Sequence, residues 1–249
     1  MALKIRIIIL FTLCFCFNLS SFSQTDSSGI NKKNSWIFEL NFGRPAESEK
    51  FQFDNIEIKY FFNEKIGLKL SARIVNNRNI LTDDDNVQNE TSEATVFENA
   101  FLYLLKTGME YRIPLHQKVS TYCGFDIFYS QKFSESEYSE FIGYYNGYTI
   151  VSVEGAWSSS GDNHYFSNFN KERALQSMGA HAVFGSDIFL YNNFFLGFEI
   201  GYGYEITKYK AVHVESISYF NDTEKNYPSY TNSTIGFNLN NLIRVGIRF

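Results

Sequence analysis

Phe194-Phe195-Leu196-Gly197-Phe198-Glu199-Ile200-Gly201-Tyr202-Gly203 reads as two interleaved sequences. Phe194, Leu196, Phe198, Ile200 and Tyr202 fall on one side, and Gly197, Glu199, Gly201 and Gly203 on the other. A period of two belongs to an extended strand, whose successive side chains point to opposite faces. One face of this strand is large and apolar; the other is small, polar and rich in glycine.

Seven further segments repeat the pattern. Trp36, Phe38, Leu40 and Phe42 oppose Ile37, Glu39, Asn41 and Gly43; Ile56, Ile58, Tyr60 and Phe62 oppose Asn55, Glu57, Lys59 and Phe61. In the third, Ile66 to Ile74 alternates with Gly67, Lys69, Ser71 and Arg73. The fourth sets Phe101, Tyr103, Leu105, Met109, Tyr111 and Ile113 against Lys106, Gly108, Glu110 and Arg112, and the fifth sets Val119 to Ile127 against Ser120, Tyr122, Gly124 and Asp126. The sixth is weakest, with Met178, Ala180, Ala182, Phe184 and Ile188 against Gly179, His181, Gly185 and Asp187. The eighth sets Phe237, Leu239, Ile243, Val245, Ile247 and Phe249 against Asn238, Asn240, Arg244, Gly246 and Arg248. No segment carries a 3.6-residue period, and three prolines in the chain leave long strands uninterrupted.

The connections add a second regularity. Asn63 to Lys65, Pro114 to Lys118 and Tyr191 to Asn193 are short, whereas Arg44 to Phe51, 76–95, 132–176 and 211–231 are long. Short and long alternate, as periplasmic turns and extracellular loops do in transmembrane barrels. With an even strand count both termini fall on the short-turn side, where Trp36, Tyr60, Phe62, Tyr111, Tyr191, Phe194 and Phe249 form an aromatic girdle.

The N-terminus explains how such a chain would reach a membrane. Lys4 and Arg6 precede an apolar run from Ile7 to Phe17, and Ser21-Phe22-Ser23 places small residues before a cut at Gln24. Residues 1–23 therefore read as a cleaved signal peptide and 24–34 as a polar lead into the barrel, 35–249. Cys14 and Cys16 leave with the signal and only Cys123 remains, so the mature chain is expected to have no intramolecular disulfide. The chain carries net charge −5; losing Lys4 and Arg6 makes the mature chain −7, and an acidic chain without a basic stripe argues against nucleic acid.

A soluble lipocalin-like barrel has the same period with its apolar face inward. Three features decide for the membrane: a polar face crowded with glycine, large apolar side chains on nearly every strand, and a last strand ending in Phe249. The expected fold is all-β, an eight-stranded antiparallel transmembrane up-and-down barrel. On Arg244-Val245-Gly246-Ile247-Arg248-Phe249, Gly108-Met109-Glu110-Tyr111 and Gly197-Phe198-Glu199, the chain resembles the small outer-membrane β-barrel family typified by the OmpA and OmpX barrels. The resemblance spans Ser35 to Phe249. It implies residence in the outer membrane among lipid and lipopolysaccharide, and assembly-machinery recognition of the strand ending at Phe249. It does not extend to the peptidoglycan-binding domain that follows the OmpA barrel.

The inward acids are Glu39, Glu57, Glu110, Asp126, Asp187, Glu199 and Glu205; the inward bases are Lys59, Lys69, Arg73, Lys106, Arg112, Arg244 and Arg248. An eight-stranded interior is just wide enough for side chains to fill, and buried charges are tolerated when paired. The expectation is a structural ion-pair plug; the sharper alternative is a gated polar path or proton-linked site. For catalysis, no serine lies two positions from His181, and Ser216 and Ser218 lie opposite the face that His213 shares with Glu215, while His116 and His164 lie in connections. No catalytic, cofactor-binding or metal residue is assigned. Asp83-Asp84-Asp85-Asn86 lacks the glycine and distal glutamate of a calcium loop and reads as a solvated acidic loop. Phe141 to Ile150 surrounds Asn146-Gly147, the strongest short hairpin signal, and its tyrosines either offer a contact surface or cover the barrel mouth. The functional expectation is a non-enzymatic outer-membrane barrel that stabilises the envelope or meets a surface or secretion-complex protein through its loops. A small-solute channel is the alternative, and a lipid-modifying enzyme the third.

Overall fold

The computed structural model describes residues 35–43, 52–87, 90–116, 118–142, 147–157, 172–190, 193–218, 222–238 and 243–249. The signal peptide at 1–23, the polar segment at 24–34, the 44–51 connection and His164 lie outside the described residues. Twelve strands are described: β1 (Ser35–Gly43), β2 (Gln52–Phe61), β3 (Ile66–Val87), β4 (Glu90–His116), β5 (Val119–Ile142), β6 (Gly147–Glu154), β7 (Leu175–Phe189), β8 (Phe194–Tyr209), β9 (Val212–Ser218), β10 (Thr223–Tyr227), β11 (Tyr230–Asn238) and β12 (Ile243–Arg248).

Eight of them close a ring. Antiparallel ladders run β1-β2-β3-β4-β5-β7-β8-β12, and β12 returns to β1 with Phe38 opposite Ile247 and Phe42 opposite Ile243. Closure satisfies every wall strand on both sides, which is what a hydrocarbon environment requires of backbone N–H and C=O groups. The pleat then decides which side chains face where. Leu70, Phe125 and Phe198 point outward and are more than half exposed, whereas Lys59, Glu39 and Arg112 point inward and are 0% exposed. The molecule is inside out relative to a soluble barrel, as the glycine-rich polar face implied.

Trp36, Tyr60 and Phe62 pack into one cluster at the short-turn rim, with ring centroids 4.7 and 5.1 Å apart. A second outward aromatic cluster, Phe101, Tyr103, Tyr129 and Phe133, lies further up the wall, where Tyr103 and Tyr129 both donate to Gln131. Phe101 and Tyr111 are separated by about ten residues on β4; at ~3.4 Å per residue and a tilt of ~40° the rise is about 26 Å, close to the ~25 Å apolar band of outer-membrane barrels.

Above that second cluster the sequence expectations need correction. Of the expected loop 76–95, residues 76–87 and 90–95 are a two-stranded arm, with β3 and β4 paired out to Val87 and Glu90. Asp83 to Asn86 therefore lie on a strand. Within 132–176, β5 continues to Ile142 and turns back as β6; within 211–231 lie β9 and β10. The hairpin expected at 141–150 is present as the β5/β6 ladder, with Gly147 paired to Ile142; Asn146 lies outside the described residues. These strands escaped the period-2 signal because neither face meets lipid above the membrane, and the apolar marker of a wall strand disappears while backbone pairing continues. Two smaller corrections concern the ends. Pro114 and His116 belong to β4, at a bulge where proline is tolerated, which shortens that turn. The eighth wall position is shared by β12 and β11, both paired to β8.

Together β3, β4 and β5 carry β6, β9 and β10 as an apical sheet ordered β3-β4-β5-β6-β9-β10. Its lumen-side face holds a small core of Tyr138, Val151, Val153, Ala156, Val212 and Val214, with Val96 and Tyr227 against it. β5 changes partner from β7 to β6 at Gly155, whose amide donates to Ser134 and whose carbonyl accepts from Ala174. Gly155 has φ +95°, and a Cβ there would meet the Ala211 carbonyl, so glycine is required. Arg173 fastens the junction by donating to the carbonyls of Lys210 and Pro228 while lying over the Tyr230 ring.

Candidate functional site

The lumen is filled in layers. At the short-turn end, Ile37, Phe61, Phe189 and Phe195 meet across the barrel as an apolar floor, each at most 5% exposed. Arg112 lies over Phe61 and Arg248 over Phe189, so the floor is roofed by guanidinium groups.

Above the floor is one connected charge network. Lys59 Nζ reaches Glu110 at 2.7 Å, Glu39 at 2.9 Å and Glu57 at 3.2 Å. Arg244 joins Glu39 at 3.0 Å, Asp187, and Glu199 at 3.9 Å; Arg112 joins Glu110 at 2.5 Å and Asp187 at 2.9 Å. Lys69 holds Asp126 at 2.7 Å and Glu199 at 3.5 Å, and Lys106 links Glu57 and Asp126, each at 3.7 Å. All eight wall strands contribute a member. In the low dielectric of a filled lumen such pairs are tolerated because each charge meets more than one opposite charge.

Eleven of the fourteen inward charges expected from the sequence belong to this network. Of the other three, Glu205 sits higher and accepts from Ser177 and Thr207, Arg248 lies at the floor, and Arg73 is half-buried on β3 above Ser71. Sequence reasoning passed over Tyr122, the hub of the site. Its hydroxyl donates to Glu199 Oε2 at 2.7 Å, and its ring is 4.7, 5.1 and 5.7 Å from the cationic groups of Arg244, Lys59 and Arg112. The available signal was an aromatic between small inward neighbours, Ser120 and Gly124. Glycine makes room for these groups: a Cβ at Gly185 would strike the Tyr122 hydroxyl, and one at Gly108 the Asp126 carboxylate. His181 is stacked on Phe128 at 4.9 Å, beside the network. Among the described residues, no three His, Cys, Asp or Glu side chains are grouped to hold a metal ion. The side chains of Asp83 to Asn86 and His116 lie outside the described residues.

An apolar exterior, a closed eight-strand ring and an ion-paired interior define a small outer-membrane β-barrel. No family model matches the chain, and no curated protein matches it in sequence. Among solved structures it is similar to the outer membrane protein OprG from Pseudomonas aeruginosa, at 11% identity over 88% of this chain and 98% of that one, with TM-score 0.43. It is also similar to Ail, the attachment invasion locus protein of Yersinia pestis, at 12% identity over 87% and 99% of the two chains, with TM-score 0.33. At these values the fold rests on the closed ladder itself rather than on either neighbour.

Proposed function

We propose that this chain is a non-enzymatic outer-membrane barrel that anchors and displays its apical sheet on the cell surface. The carrying observation is the lumen: a network touching all eight strands stands on an apolar floor, a cross-section built to hold the wall rigid rather than to pass solute. The fourteen inward charges named from the sequence act in this reading as structure, not as a conduction path. The short turns face the periplasm, and the strand ending at Phe249 is the one offered to the assembly machinery. The apical sheet, anchored by Gly155 and Arg173, meets the surface partner. Planar-bilayer recording of the refolded protein tests the reading: a silent membrane is expected, and steady solute-sized conductance would replace it with the channel reading.

A further inference from the structure

The outward face of the apical sheet differs from the face that packs the small core. Its cross-strand rows can be read from the register. Glu135 of β5 stands opposite Glu154 of β6, and Glu154 opposite His213 of β9. One row higher, Glu137 faces Ser152, Ser152 faces Glu215, and Glu215 faces Glu224 of β10. Above them Ile150 pairs with Ile217, 38% and 51% exposed.

Two of these registers place like charges directly opposite, which destabilises an antiparallel pair. Among the described residues of β5, β6, β9 and β10, no lysine or arginine shares this face; Lys225 and Lys132 are on the other side of the sheet. Two cations from outside these strands lie on the same side: Lys210 over Phe133, one outward position below Glu135, and Arg78 over Phe97 at the far edge. Glu135 and Glu224 accept hydrogen bonds from Asn99 and Asn226, neutral donors that leave the charge in place. The sheet thus holds a fixed anionic surface, with an exposed aliphatic pair at its upper margin, at a cost to its own pairing.

We infer that this face docks a cationic polypeptide segment, lysine- or arginine-rich, whose charges lie between the opposed glutamates. The inference rests on the surface-display reading and supplies the chemistry of the partner. Charge complementarity of this kind sets partner choice and encounter rate and weakens as salt rises.

The test uses the full mature protein in zwitterionic lipid nanodiscs and dye-labelled oligolysine as the probe. Expected is saturable binding above that of empty nanodiscs, weakening with salt, and about tenfold weaker in the Glu135→Gln/Glu154→Gln/Glu215→Gln/Glu224→Gln variant, a factor equivalent to 1.4 kcal/mol. The same variant is expected to melt no lower than wild type, because the substitutions remove opposed like charges. Loss of binding with retained stability separates docking from a scaffold role. Wild-type binding no greater than that of empty discs, equal binding by the variant, or equal binding of oligoglutamate would overturn the proposal. Labelling of Ser152→Cys by an impermeant maleimide, on intact cells washed with high salt to release a partner held by charge, separates the two levels. If the cysteine is shielded, the display reading itself fails; if it is labelled but oligolysine does not bind, only the cationic partner fails.

Discussion

Lys59 shows what a single side chain does in this lumen. It contacts three carboxylates on three strands, so its removal leaves Glu39, Glu57 and Glu110 with one cation each, Arg244, Lys106 and Arg112, and the interior one positive charge short. Breaking one buried pair typically costs about 3–5 kcal/mol. Lys59→Met is therefore expected to lower stability by at least that much in urea unfolding from lipid vesicles, and an unchanged midpoint would contradict the structural role given to the network. His213 is the opposite case, an exposed group outside the membrane. The hydrogen bond it makes through Nδ1 with Asn226 Oδ1, 2.8 Å away, and the nearby Glu224, Glu215 and Glu154 push its pKa upward. A raised pKa means the protonated form is favoured in the folded state. The resulting stabilisation is full below the ordinary histidine value and fades as pH rises through the raised one. NMR titration should place His213 above an exposed histidine's usual ~6.5, and Asn226→Ala should bring it down. At this scale the sequence told which charges face inward, because period two assigns faces without any knowledge of neighbours. It could not tell who pairs with whom. Lys59 with Glu110 meets over one intervening strand, Lys69 with Glu199 across the lumen and Glu39 with Arg244 over the closing seam, and only strand register and barrel closure set those distances.

Strands rather than side chains explain what was hidden. Segments one, two, three, five and seven were readable because each has a lipid face of large apolar residues and a lumen face of small or charged ones. The upper half of β3, with Asn76, Asn77, Arg78 and Asn79, has no lipid face and reads as loop, yet its ladder with β4 runs unbroken to Val87. β9 and β10 escaped for the same reason. The hidden strands are those of the apical sheet, and they are testable as a unit. Cysteines at Ser139 and Ser152 should react with an impermeant maleimide on intact cells, whereas one at Lys65, in a short turn whose Asn63 side chain accepts from two backbone amides, should react only after lysis. Labelling at Lys65 in sealed cells would invert the topology.

For the whole molecule, position relative to the bilayer outranks residue type. Leu70 and Ile217 are both aliphatic, outward-facing and more than half exposed, at 59% and 51%. Leu70 lies between the two aromatic clusters; Ile217 lies in the apical sheet. Arginine facing lipid near the midplane costs about 2–4 kcal/mol, whereas a surface substitution in water is usually within about 0.5 kcal/mol. Leu70→Arg should thus impair folding into vesicles strongly, and Ile217→Arg should leave it nearly unchanged. Equal effects would remove the membrane from the middle of the wall.

The ring closes between its first strand and its last, and this has a temporal consequence. Glu39 and Arg244, partners in the lumen, are separated by 205 positions along the chain. While β12 is missing, β1 and the lower part of β8 each present an open edge, Glu39 lacks its arginine, and Asp187 keeps Arg112 alone. Contacts so remote in sequence form late and slowly, and open strand edges invite pairing with other chains. The unfinished barrel is therefore a vulnerable intermediate, and the arrival of one six-residue strand ends both hazards together, sealing the wall and neutralising its interior in the same event.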